Sequence, residues 1–188
     1  MRYDLDHKQQ TRARIMGAAA RVFREGGFGG AGIDGLTKAA GVTNGAFYGH
    51  FKTKAEAFRE TVVAGLQDLR KAVAGVRAEF GADWPREFAR FYLGPRQTVP
   101  LAEACALPTL SPEVMRADAE TRGAYERELR GVIEEVAAGM PGNDMAAREE
   151  AAIAMLATLA GGAMLGRAVA DPALAARIHL AAERHAVR

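Results

Sequence analysis

Gly41-Val42-Thr43 separates two segments of only about two turns each, and that junction limits the architectures open to the chain. Upstream, Ile33, Leu36 and Ala40 fall on one side of a helix over Ile33–Ala40; downstream, Phe47 and Phe51 stand four apart on a second helix over 44–50. Gly41 breaks the first helix, and Thr43 stands where a hydroxyl accepts from the first-turn N–H groups of the second. Two short helices joined by so tight a turn, with Leu36, Val42 and Phe47 to lock them together, make a helix-turn-helix. The second helix then presents Asn44, Gly45, Ala46, Tyr48, Gly49 and His50 outward. Small side chains let a helix backbone approach base edges closely, where Ala46 suits a thymine methyl and the Asn44 amide suits adenine.

The rest of the chain is expected to be all helix, because alanine is abundant and no stretch alternates apolar and polar residues. A first helix over 6–25 carries Ile15, Ala18, Ala19, Val22 and Phe23 as an apolar stripe, and Gly26-Gly27 stops it. Thr53 opens a long helix over Lys54–Phe80, with Phe58, Val62, Leu66, Leu69 and Val73 inward. Helices follow over 84–92, 144–168 and 172–187. Ser111-Pro112, a capping hydroxyl before a proline, is expected to start another that runs to 140. This divides the chain into a helix-turn-helix domain over 1–53 and a larger helical domain over 54–188.

Charge follows the same division. Residues 1–55 hold nine Lys and Arg against four acids, a net of +5, whereas the whole chain carries only +2. A basic head on a slightly acidic body is expected where only the head meets a polyanion. Hydrophobic residues at 49% and charged residues at 26% exclude wholesale disorder. No window holds the roughly 18 consecutive apolar residues of a membrane span, and MRYDLDHKQQ lacks a signal-peptide core, so the expected address is the cytoplasm, with no membrane partner. Cys105, the single cysteine, excludes an internal disulfide and a Cys-rich zinc site. His7, His50, His179 and His185 form no metal-ligand spacing, and no nucleophile elbow or phosphate loop is present. No catalytic residue, metal or cofactor is therefore expected. The competing expectation is a helical protein-interaction module that does not bind DNA.

The runs TRARIMGAAARVFREGGF and AAGVTNGAFYGHFKTKAEAF resemble the DNA-binding domain of the TetR family of bacterial transcriptional regulators, through Thr11, Ile15, Phe23, Gly41, Val42, Gly45, Phe47, Tyr48, His50, Phe51, Lys54 and Phe58. The resemblance implies a recognition helix over 44–50. Asn44, Gly45, Ala46 and Tyr48 would lie nearest the bases, and Thr43, Tyr48, His50 and Lys54 toward phosphates. Lys54 also has a physical argument of its own, since a cation beside the free N–H groups of a helix start makes an anion site. The chain departs from the family at Gly32, Thr37 and Asn44, and at Asp34, where a basic residue often touches DNA. An acid there is expected to cap the helix or to read a cytosine amino group. CALPTL and GGAMLGRAVADPAL resemble one subset of the family.

The family implies a ligand-responsive regulator, most often a repressor, that binds palindromic operator DNA as a homodimer and is released by a small-molecule effector. The last two long helices would pair with their mates through Ile153, Leu156, Ala160, Met164, Leu174 and Ile178, with Ala160, Gly161, Gly162 and Ala163 permitting close approach. Candidate walls of a largely apolar effector pocket are Phe80, Trp84, Phe88, Phe91, Tyr92, Cys105, Met115, Tyr125 and Met155. Cys105 has no Lys or Arg within five residues, and Glu103 is close, so an inert buried thiol is expected rather than a redox sensor.

Overall fold

The computed structural model describes residues 2–187, with side chains from His7 onward, and among these no strand is present. Among the described residues nine α-helices run in the order α1 Arg2–Gly26, α2 Ile33–Ala40, α3 Asn44–Tyr48, α4 Lys54–Phe80, α5 Trp84–Leu93, α6 Ala106–Val114, α7 Ala119–Ala137, α8 Met145–Ala168 and α9 Pro172–Ala186. Local chemistry sets most boundaries. Thr53 accepts from the Glu56 N–H at 3.0 Å while the Glu56 carboxylate accepts from the Lys52 N–H at 2.6 Å, so α4 starts on a reciprocal cap. Asp144 and Asp171 cap α8 and α9, their carboxylates accepting from the first-turn N–H groups of Ala146 and Ala173 at 3.0 and 2.9 Å.

Two apolar clusters meet along α4. The first gathers Ile15, Phe23, Leu36, Phe47 and Phe51 with Phe58 and Val62 of α4, and it also takes Leu110 and Val114 from α6. The second gathers Leu66, Leu69 and Val73 of α4 with Trp84 and Phe88 of α5, Val132 and Val136 of α7, and Met155 and Leu159 of α8. The head is thus joined to the body by a shared helix and by α6. Glu113 of α6 strengthens that joint, accepting from the Phe28 N–H at 3.1 Å.

Ser111-Pro112 does not begin a helix. Both residues lie inside α6, and α7 begins separately at Asp118, whose carboxylate accepts from the Thr121 N–H at 2.6 Å. The Ser111 hydroxyl bonds back to the Leu107 carbonyl and meets the Tyr125 hydroxyl at 2.8 Å instead of capping forward. Burial of Ala106, Leu107, Leu110 and Val114 carries the helix through the proline, and it ends two residues later.

α8 packs along α9 at close range. A Cβ on Gly162 would stand 2.5 Å from the Ala182 Cβ, and one on Gly166 would run into the His179 ring. At the end of α8, Arg167 donates to Gln97 Oε1, Val99 O and Arg96 O at 3.0, 3.1 and 3.0 Å, which pins the connector between α5 and α6. α8 is long and strongly apolar, but its buried side faces α7 and α9.

Candidate nucleic-acid interface

The turn between α2 and α3 is held from both ends. Gly41 adopts φ +63° and closes α2, and a side chain there would be strained twice over, because its Cβ would also fall 2.9 Å from Arg14 Nη2. That guanidinium, reaching from α1, donates to Ala40 O at 3.0 Å and Gly41 O at 2.7 Å, satisfying carbonyls that the end of α2 leaves free. Thr43 caps α3 by accepting from the Ala46 N–H at 3.1 Å. Gly32 caps α2 with no side-chain bond, so the first helix of the motif relies on packing at its start.

On the outer side of α3, Tyr48 is 56% exposed, its ring edge-on to the buried Phe47 at 5.6 Å. Thr43, Asn44 and Gly45 are exposed, Ala46 and His50 half-buried. α3 ends at Tyr48 rather than at residue 50, and the His50 N–H bonds only three residues back, to Phe47 O at 2.9 Å. His50 is held below the usual histidine range by partial burial and then by the charges of Lys8 and Arg12. Lys54 sits with its ammonium 4.6 Å over the Phe28 ring, beside the start of α4.

Asn44 is more constrained than its place at the start of α3 suggested. Its Nδ2 donates to Asp34 Oδ1 at 2.6 Å, and its Oδ1 accepts from the Thr37 hydroxyl at 2.7 Å. Asp34 therefore neither caps α2 nor stands free; it and Thr37 orient the Asn44 amide. The sequence signal for this network is the i, i+3 spacing of Asp34 and Thr37 on the face of α2 turned to α3.

The residues expected in one effector pocket separate into four groups. Met115 and Tyr125 line an apolar cavity of about 430 Å³ between α6, α7 and α8, together with Leu107, Leu129 and Ile133. Phe88, Phe91, Tyr92 and Cys105 line a second cavity of about 350 Å³ beneath the end of α1. Trp84 and Met155 belong to the body core and line neither, since the Trp84 indole is committed to Gly139 O at 2.9 Å. Phe80 is exposed at the end of α4. Burial pushes the Cys105 thiol up despite Arg24 and Arg96, which the fold brings close although neither is near in the chain.

The expected dimer residues do not form one exposed stripe. Ile153, Met164 and Leu174 are exposed, Ala160 and Ile178 half-buried, and Leu156 only 5% exposed. Ile153, Leu156, Ala160 and Met164 also line the 430 Å³ cavity. Gly162 and Ala163 are buried inside the subunit, against α9 in the case of Gly162, while Gly161 faces open space. Leu165 and Leu180 add exposed apolar area that sequence spacing did not single out. No cluster of three or more His, Cys, Asp or Glu able to hold a metal occurs among the described residues.

The family described as bacterial regulatory proteins, tetR family, matches residues 15–61. The HTH-type transcriptional regulator AcrR of Shigella flexneri is 35% identical over 75 residues, which are 40% of this chain and 35% of that protein. UidR of Escherichia coli K12, also an HTH-type transcriptional regulator, is 38% identical over 69 residues, 37% of this chain and 34% of its own. The alignments thus span about a third of these curated relatives. Fold likeness extends further: reduced E. coli NemR superposes with TM-score 0.79 at 17% identity over 94% of each chain. SCO4454, a TetR-family regulator from Streptomyces coelicolor, gives 0.76 at 23% identity over 96% of this chain and 95% of its own. The match to the tetR family of bacterial regulatory proteins thus covers residues 15–61, and over the rest of the chain the likeness to such regulators is one of fold.

Proposed function

We propose that the protein is a cytoplasmic, non-enzymatic transcriptional regulator that binds a palindromic operator as a homodimer, acts as a repressor and is released by a small apolar effector. The observation that carries the reading is the outer side of α3. It presents small and polar groups, Gly45, Tyr48 and the oriented Asn44 amide, on the basic head of a chain whose remainder is slightly acidic. Such a helix suits the major groove, with Tyr48, His50, Thr43 and Lys54 directed to the backbone. We place the junction between the DNA-binding and the ligand-binding and dimerisation domains at Thr53, the cap of α4.

Dimerisation is supported by the exposed apolar residues Ile153, Met164 and Leu165 on α8 and Leu174 and Leu180 on α9. The apolar cavity between α6, α7 and α8 supports an apolar effector, and its wall includes Ile153 and Met164. Effector site and subunit contact therefore share residues, which gives an effector a route to the separation of the two heads. By linkage, DNA must weaken the effector by the factor that the effector weakens DNA.

Selection of duplexes from a random pool at near-physiological salt tests the reading. Enrichment of an inverted repeat supports it, and retention of no preferred sequence favours the alternative of a helical interaction module.

A further inference from the structure

The second cavity differs in chemistry from the first, and nothing in the regulator reading uses it. It lies where the last turn of α1 meets α4, α5 and the connector that Arg167 pins. Its apolar part is made by Leu69, Phe88 and Phe91, and its polar end by Arg24, Arg96 and Tyr92. Tyr92 is only 5% exposed, yet its hydroxyl has no hydrogen-bond partner; the Cys105 thiol faces it without the geometry of a formed bond. Arg24 Nε is likewise buried and unpartnered. Buried polar groups are almost always satisfied, so two orphaned donors at one end of a cavity mark a place where an acceptor is absent.

Charge points the same way. Among the described residues, neither arginine is within ion-pair distance of a carboxylate. Asp68 and Glu103 also border the cavity, but Asp68 is drawn to Lys71 at 3.6 Å, and Arg96 bonds only the Glu103 main-chain oxygen at 2.8 Å. Arg24 makes one bond within its own helix, to Ala20 O at 3.2 Å. Guanidinium groups in this state are suited to a bidentate acceptor.

We propose that this cavity is a binding site for a small aromatic carboxylic acid, whose carboxylate accepts from Arg24, Arg96 and the Tyr92 hydroxyl while its ring lies against Phe88 and Phe91. Its volume of about 350 Å³ is at the small end of ligand sites. Because Arg24 closes α1, whose Ile15, Ala18 and Phe23 pack inside the head, an occupied site ties the head to α5 and the pinned connector. This consequence for DNA rests on the regulator reading; binding of the acid does not.

Isothermal titration calorimetry on the intact protein decides the matter, using benzoate and phenylacetate with their neutral twins benzamide and phenylacetamide. The acids are expected to bind at least about tenfold more tightly than the amides. Arg96→Gln and, separately, Tyr92→Phe should each weaken the acids by about tenfold and leave the amides unchanged. Arg96 is on a partly exposed connector and Tyr92→Phe keeps the ring, and unchanged circular dichroism and thermal midpoints verify that both variants fold. Equal binding of acids and amides, binding of none of the four, or acid affinities untouched by both substitutions would overturn the proposal. Acids that bind a protein unable to bind any duplex would leave this site standing and remove the regulator reading, so the two fail separately.

Discussion

The Asn44 side-chain amide donates to Asp34 Oδ1 at 2.6 Å, so the first residue of the exposed helix is oriented by an acid on the helix before it. An acid on the surface offered to DNA repels phosphates, and here it also uses one of the two N–H groups with which Asn44 would read a base.

Asp34→Ala should therefore raise affinity for unrelated duplexes, by roughly three- to tenfold at low salt, and narrow the gap between preferred and scrambled sequences. Fluorescence anisotropy against both duplexes measures this. A variant with the discrimination of the parent protein would show that the Asp34–Asn44 bond does not shape base choice.

His50 supplies a pH dependence with a definite sign. Burial, Lys8 and Arg12 hold its pKa below the ordinary value of 6.5, so the free protein carries it neutral at pH 7. A neighbouring phosphate would raise that pKa, so binding takes up a proton and operator affinity should rise as pH falls through and below 6.5, by up to about tenfold per pH unit. The sign for folding is opposite. A lowered pKa favours the folded state above the unfolded value, and that contribution is lost as pH falls. His50→Gln should flatten the DNA profile, and an unchanged slope in that variant would assign the proton elsewhere.

The helix-turn-helix, α2 and α4 could be read from the chain because their boundaries are set within a few residues, by Gly41, Thr43 and Thr53. Ser111-Pro112 misleads for the reason that a serine before proline looks the same whether its hydroxyl caps forward or bonds back, and only the burial of Leu107, Leu110 and Val114 distinguishes the two. Helical spacing names a face but not what covers it. Ile153 and Leu156 lie three apart, and one is 47% exposed while the other is buried. Phe88 and Phe91 part in the same way. The cations beside Cys105 come from elsewhere in the chain, where spacing carries no signal, and for Asn44 the spacing shows only that Asp34 and Thr37 share a face of α2.

Gly166→Ala should destabilise the protein by about 1–3 kcal/mol, the usual cost of overpacking, because the new methyl group would run into the His179 ring. Adding His179→Ala should recover part of the loss by opening the space. Denaturant unfolding of both variants checks this, and a single variant as stable as the parent would mean that the His179 ring swings aside at no cost.

Met164→Lys places a charge on the exposed apolar face of α8 without touching the body core. Sedimentation equilibrium is expected to show the parent as a dimer and the variant dissociating at concentrations at least tenfold higher. The variant's thermal unfolding at high protein concentration should show whether the subunit itself stays folded. A dimer of unchanged strength would move the subunit contact away from this face.

In the proposed dimer, two copies of α3 related by a two-fold axis would enter major grooves one turn apart, about 34–36 Å along the duplex. Affinity for the enriched inverted repeat, measured before and after inserting five base pairs between its halves, reads that geometry directly. Half a turn of added twist turns one half-site to the far side of the duplex, and binding is expected to fall to the level of unrelated DNA. Affinity that survives the insertion would contradict a dimer that reads both halves at once.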